Sequence, residues 1–175
     1  IQGVADRKAD RRMAAGAAIR IDSNENPMGP GKRVLDAIRA HVDESNRYPI
    51  VAEDDVAEAI AKQQGVSANN VILGCGSGEL LRAADHAFTS RSAAYVGAGP
   101  TFEAPGEFAR FLGAEVKMVA VDSTLGLDLG AMGAASRGAG LVYLCNPNNP
   151  TATVHTKADV AAFIDIAGVS VACDG

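Results

Sequence analysis

The segment Leu144-Cys145-Asn146-Pro147-Asn148-Asn149-Pro150-Thr151 sets three carboxamides among two X-Pro steps, directly after an apolar, strand-like run. Proline holds φ near one value and drives the residue before it toward an extended conformation, so Asn146 and Asn149 have restricted backbones. A carboxamide on such a backbone is aimed, and it can donate to a ligand oxygen as readily as it accepts. Standing alone, an Asn-Pro pair is also ordinary turn material. A second segment, Gly74-Cys75-Gly76-Ser77-Gly78, lies between a short apolar run and a helical stretch beginning at Glu79. Its small residues let backbone N–H groups approach an anion at the positive end of the helix, with the Ser77 hydroxyl as a further donor, which makes a phosphate cradle. No Gly-Lys-Ser/Thr follows, so the loop is not a P-loop, and its glycine spacing departs from G-x-G-x-x-G. Taken by itself it is equally a plain tight turn.

These loops need elements to hold them. Gly31 to His41 carries Val34, Leu35 and Ile38 at helical spacing, and Asp54 to Gln64 repeats the pattern with Val56, Ala57, Ile60 and Ala61 before Gly65. From there, short apolar runs alternate with helical stretches. Strands are expected at Val71–Leu73, Ala93–Val96, Val116–Val121, Leu141–Leu144 and Val169–Cys173, with helices at Glu79–Phe88, Glu103–Leu112, Leu127–Ala134 and Thr156–Ala167. The last helix opens on a Thr156-x-x-Asp159 capping pattern. Alternation of this kind points to an α/β fold with a mainly parallel sheet and flanking helices. Ligands of such sheets collect beyond the carboxyl ends of the strands. The Gly74–Gly78 loop, Gly97 to Phe102, Asn146 to Thr151 and Asp174-Gly175 all fall there.

Composition narrows the function classes. The chain has 175 residues, 47% hydrophobic and 21% charged, which suits one globular domain of ordinary size. A net charge of -5, with basic residues dispersed apart from Arg7 to Arg12, gives no electrostatic reason to expect nucleic acid. No run approaches the about 18 apolar residues that span a bilayer, and no apolar stretch follows Arg11-Arg12 as a secretory signal requires. The expectation is a cytoplasmic protein without a membrane partner. Cys75, Cys145 and Cys173 are odd in number and widely spaced, which suggests buried reduced thiols and neither disulfides nor a zinc site. His41, His86 and His155 have no metal-ligand spacing and read as surface or helix-end residues.

Taken together, the segments resemble the fold-type I aminotransferases that use pyridoxal phosphate, and within them the histidinol-phosphate aminotransferase-like branch. Ile21-Asp22-Ser23-Asn24-Glu25-Asn26-Pro27-Met28-Gly29-Pro30 looks like that branch's N-terminal substrate-side segment, and Asn46-Arg47-Tyr48-Pro49 like its Arg-Tyr-Pro motif. The resemblance implies the large domain of an aspartate aminotransferase-like PLP-transferase, incomplete at its C-terminus. Residues 1–45 would form an N-terminal arm and helix belonging to the small domain and substrate mouth, and 46–175 the first part of the cofactor-binding large domain. It further implies that Gly76, Ser77 and Gly78 hold the cofactor phosphate, that Phe102 in Gly99-Pro100-Thr101-Phe102 stacks on the ring, and that Asn149 bonds its 3′-oxygen. Tyr48 would reach the phosphate site of the other subunit of a homodimer. Asn24 and Asn26 would line the substrate mouth, or simply form the Asn-Pro turn.

The chemistry of these roles stands without the family. An aromatic face is a platform for a flat pyridine ring, and a neutral amide can donate to a phenolate-type oxygen. An acid beside the pyridine nitrogen keeps the ring protonated as an electron sink. Asp174 is the local candidate, although it stands in Ala172-Cys173-Asp174-Gly175 where the family typically has Asp-Glu-Ala-Tyr. The other reading is an acid on the surface. The family's Schiff-base lysine follows a later strand, and Lys8, Lys32, Lys62, Lys117 and Lys157 stand in no matching context. No catalytic residue is therefore assigned within the chain. The implied reaction moves an amino group from an amino acid, or an amino-alcohol phosphate such as histidinol phosphate, to a 2-oxo acid. The alternatives are a noncatalytic cofactor- or phosphate-binding domain, or decarboxylation or β-elimination on the same scaffold.

Overall fold

The computed structural model describes residues 23–174; the Arg7 to Arg12 cluster, Lys8, Ile21, Asp22 and Gly175 lie outside the described residues. The chain divides into two compact units, 1–50 and 51–175. In the first, α1 (Lys32–His41) is followed by a 3-10 turn, Val42–Glu44. The Asn26 side chain is spent on its own turn: Oδ1 accepts from the Met28 N–H at 3.0 Å, and the Gly29 N–H donates to the Asn26 carbonyl at 3.1 Å. Asn24 is exposed, with a left-handed φ of 53°. Tyr48 is 91% exposed.

In the second unit, α2 (Ile50–Gln64) leads through a 3-10 turn to α3 (Ser77–Phe88). Then β1 (Ala94–Gly99), α4 (Ala104–Phe111), β2 (Val116–Ala120), α5 (Leu129–Ala135), β3 (Ala139–Cys145), α6 (Lys157–Ala167) and β4 (Ser170–Asp174) follow. The four strands form one parallel sheet in the order β2-β1-β3-β4. Every helix expected from the sequence is present, and the Thr156–Asp159 capping box closes the first turn of α6. The expected strand at Val71–Leu73 is absent. It has no sheet neighbour among the described residues, and Ile72 is 80% exposed. An apolar run without a partner for its N–H and C=O groups is not a strand.

The sheet is covered on both faces, as period-2 alternation demands. Tyr95, Leu141, Tyr143 and Cys145 face α3 and α4, where they pack with Leu81, Ala109 and Ala114. Val96, Ala98, Val142 and Leu144 face α5 and α6, packing with Leu127, Met132, Phe163 and Ala167. Gly140 marks the tightest crossing. A Cβ there would stand 1.9 Å from the Phe88 carbonyl oxygen at the end of α3, so no side chain fits. Of the three thiols, Cys145 is buried as expected, whereas Cys75 and Cys173 are exposed, one on a loop and the other on the edge strand β4. His41 and His86 sit in the last turns of their helices, but His155 is half-buried with Nε2 enclosed and unpartnered among the described residues. Among the described residues no helix is long and apolar enough to cross a membrane.

Candidate functional site

The strand order reverses between β1 and β3: the chain moves outward from β1 to β2, then returns to place β3 on the other side of β1. Loops leaving the carboxyl ends of those two strands diverge and open a crevice, the usual ligand position of such sheets. One buried side chain fixes the crevice's width. Asn148, 2% exposed, accepts from Thr101 Oγ1 at 2.7 Å and donates to the Pro100 carbonyl at 3.1 Å and to Thr151 Oγ1 at 2.8 Å. The loop after β1 is thereby tied to the loop after β3.

The three asparagines of that loop divide the work. Asn146, expected to be aimed by its restricted backbone, closes the loop on itself: Nδ2 donates to the His155 carbonyl at 3.1 Å and Oδ1 accepts from the His155 N–H at 2.8 Å. Asn148 faces inward. Asn149 remains half-buried on the crevice, and its carboxamide makes no hydrogen bond within the described residues. Residue types alone do not separate the three amides, the family resemblance singles out Asn149, and in the fold it is Asn149 whose amide is left free.

Ser77, Phe102, Cys145, Pro147, Asn149 and Asp174 line one open cleft of about 300 Å³. Ser77 begins α3, and Gly76 before it has φ 82° and ψ 171°, a conformation that favours glycine. The amides of Ser77 and Gly78 are the first two of the helix and have no carbonyl to pair with inside it. A Cβ on Gly76 or Gly78 would meet nothing within 4 Å, so the cradle is open. One neighbouring donor is already taken, since the Cys75 N–H donates to Glu79 Oε2 at 2.6 Å. Gly76 does not line the cleft, and Gly78 instead borders a separate shallow hollow with Cys75, Glu79 and Arg82.

Asp174 ends β4 opposite Cys145, and its carbonyl accepts from the Asn146 N–H at 2.7 Å, which anchors the strand end. Its carboxylate is half-buried. Oδ2 accepts from the Tyr143 hydroxyl at 3.0 Å, while Oδ1 has no partner within the described residues. Behind the cleft, Tyr143 stacks on Tyr95 with centroids 6.4 Å apart. Burial pushes the Tyr143 hydroxyl far up, helped by Cys145 and Asp174, so it stays a donor. Burial likewise raises Tyr95, with Asp85 adding to it, and lifts the Cys173 thiol. Asp85 itself is fully buried on α3 with both carboxylate oxygens unpartnered among the described residues, and burial raises it to about 7.

The cleft thus offers anion donors at a helix start, an aromatic side chain, a free amide and a carboxylate with one open oxygen. Such a set suits a flat, phosphorylated, nitrogen-containing ring. Among the described residues no lysine lines it; Lys32, Lys62 and Lys157 are on helices and Lys117 is in β2. Asn24, Asn26 and Tyr48 belong to the first compact unit and are not among its lining residues. Tyr143, Asn148 and Asp85 escaped the sequence reading. Tyr143 lies one alternation before Cys145 and diagonal to Asp174, and Asp85 is four residues from buried Leu81, spacings that carry the signal in retrospect.

A histidinol-phosphate aminotransferase of Symbiobacterium thermophilum is 34% identical over 156 residues, which are 89% of this chain and 43% of that protein. An aromatic amino acid aminotransferase of Rhodococcus jostii is 37% identical over 160 residues, covering 90% of this chain and 45% of its own length. The crystal structure of histidinol-phosphate aminotransferase from Sinorhizobium meliloti, in complex with pyridoxal-5′-phosphate, superposes with a TM-score of 0.87 at 26% identity over 95% of this chain and 46% of that one. The chain therefore spans less than half the length of the relatives it matches. The sequence pattern described as aminotransferase class I and II covers residues 18–172, and the chain belongs to that family.

Proposed function

We propose that this chain is the cofactor-binding part of a pyridoxal-phosphate-dependent aminotransferase. Its donor is an amino acid or an amino-alcohol phosphate such as histidinol phosphate, and a 2-oxo acid is the acceptor. One observation carries the reading: Ser77 at the start of α3, Phe102 and Asn149 on the loops after β1 and β3, and Asp174 at the end of β4 line a single cleft at the carboxyl edge of the sheet. Family membership and the named activities of relatives support it.

The bound cofactor supplies an electron sink for the carbanion that forms when the amino substrate loses its α-proton. The chain's own residues hold and tune it. Ser77 and the amides at the start of α3, with Gly76 and Gly78 keeping the cradle open, take the phosphate. Phe102 lies against the ring, and the free Asn149 amide donates to the ring oxygen. Asp174, an acceptor through Oδ1, holds a proton on the ring nitrogen. Residues 46–175 then form the first part of the large domain, and residues 1–45 an arm toward the substrate, with Asn24 and Asn26 near its mouth. The lysine that bonds the cofactor and the arginine that grips a substrate carboxylate belong to the rest of the protein. The reading extends to a cytoplasmic homodimer, in which exposed Tyr48 serves the neighbouring subunit's phosphate site.

The test uses the full-length protein. Titration with pyridoxal phosphate, followed by assays of histidinol phosphate and aromatic amino acids as donors to a 2-oxo acid, should show binding and amino transfer. Binding without transfer to any 2-oxo acid would favour a noncatalytic domain, or lyase or decarboxylase chemistry if the amino acid is consumed. Absence of binding would overturn the proposal.

A further inference from the structure

We propose that Tyr143 is a positioning residue that selects which oxygen of Asp174 faces the cofactor. The inference rests on the reading that Asp174 meets the pyridine nitrogen, and it deepens that reading. In the β3–β4 register Tyr143 pairs with Ala172 and Cys145 pairs with Asp174, so Tyr143 is the diagonal neighbour of Asp174 on the face toward α3 and α4. Diagonal neighbours lie about 7–8 Å apart, a span only a long side chain bridges. The Tyr143 hydroxyl bridges it, donating to Oδ2 at 3.0 Å.

The donor is itself immobilised. Tyr143 is 1% exposed, and its ring stacks on fully buried Tyr95. Asp174 is held from its main chain as well, through the Asn146 N–H, so the freedom left to the residue is rotation of its side chain. A bond to Oδ2 removes that rotation and leaves Oδ1 as the acceptor in the cleft. Because burial keeps the hydroxyl protonated, the arrangement persists across the neutral range.

The experiment is a double-mutant cycle in the full-length protein, with Tyr143→Phe, Asp174→Asn and the pair, read by the dissociation constant of ring-15N pyridoxamine phosphate and by its 15N chemical shift. Tyr143→Phe keeps the ring stack and should weaken binding about tenfold while moving the shift toward the unprotonated ring. In the Asp174→Asn background the same change should matter less than about twofold, because the group it acts through is gone. Equal losses in both backgrounds, or no loss in the wild type, would overturn the inference. If Asp174→Asn alone leaves affinity and shift unchanged, Asp174 does not face the ring, and this assignment falls together with the inference. A cofactor-binding wild type with an unprotonated ring nitrogen has the same result. Should Tyr143→Phe fold poorly, 4-aminophenylalanine at position 143 restores a donor on the same ring. It should return affinity to within about twofold of wild type, and failure to do so with the fold intact sinks the proposal.

Discussion

The two faces of the sheet are built from the same strands and differ in kind. Toward α5 and α6, the buried surface is Val96, Ala98, Val142, Leu144, Met132 and Phe163, and the hydroxyl of buried Ser136 is satisfied by the Gly133 and Ala167 carbonyls. Toward α3 and α4, the same strands present Tyr95, Tyr143 and Cys145, and α3 adds buried Asp85. An apolar layer is stable wherever it closes, whereas buried hydroxyls and carboxylates need partners that the layer only partly supplies. Tyr95 and Asp85 have none among the described residues, and Tyr143 finds its partner at the cleft. One face secures the fold, and the other carries its polarity to the site.

The sharpest way to separate the faces is to damage the apolar one. Phe163 is 2% exposed at the centre of the α5–α6 layer, and Phe163→Ala should destabilise the protein by about 3–5 kcal/mol through lost burial and the cavity left behind. Urea unfolding at pH 5 and pH 8 should give the same loss, because the side chains Phe163 packs with in that cluster are apolar. A loss that varied with pH would break the comparison.

The polar face should respond to pH instead. Asp85 is raised from an ordinary carboxylate value to about 7 by burial, so folding takes up a proton in that interval. The folded state then binds more protons than the unfolded one between about pH 4 and pH 7, and stability falls as pH rises through this window. The loss is on the order of 2–4 kcal/mol, present in full above the folded pKa and absent below the unfolded one. Asp85→Asn should flatten the profile and stabilise the protein at pH 8. A slope that survives the substitution would assign the titration to another group.

How much of this was legible in the residues differs by level. The order of helices and strands follows from periodicity, which is a property of the chain alone. Val71–Leu73 misled because strand propensity describes a half-buried pleated surface, and that run has no neighbouring strand to complete one. That Ser77, Phe102, Asn149 and Asp174 share one edge was legible because a parallel sheet gathers its loops there, while the choice of residue within the loops came from the family resemblance. Asn148 was not, since a run of asparagines does not reveal which side chain turns inward. Tyr143 and Asp85 were hidden for a different reason: each acts across a register or a packing contact that only the fold creates.

Asn148 lies where the two faces meet at the crevice. Asn148→Ala would leave the Thr101 hydroxyl, buried at 9% exposure, without its acceptor and would free the Pro100 carbonyl. The expected loss is about 2–3 kcal/mol in thermal unfolding. Cofactor affinity should fall as well, because Phe102 and Asn149 depend on the tie between their loops. Unchanged affinity in a destabilised variant would make Asn148 a fold residue only.

The smallest effect is expected at the start of α6. The Thr156 side chain accepts from the Asp159 N–H at 3.2 Å, while the Asp159 carboxylate accepts from the Thr156 N–H at 3.0 Å. The Thr156 hydroxyl donates to the same carboxylate at 2.6 Å, and these bonds hold Asp159 below the usual carboxylate range. Thr156→Ala should remove about 1 kcal/mol of stability, the ordinary worth of an N-cap. A depressed carboxylate stabilises the fold above its unfolded pKa and loses that contribution as pH falls through the folded one. The wild type and Thr156→Ala should therefore converge in acid and differ most at neutral pH. Because α6 packs on the face away from Tyr143 and Asp85, the substitution should leave cofactor affinity and the pH slope between about 4 and 7 in place. A change in either would mean that the apolar layer transmits strain to the cleft, and the division between the two faces would have to be abandoned.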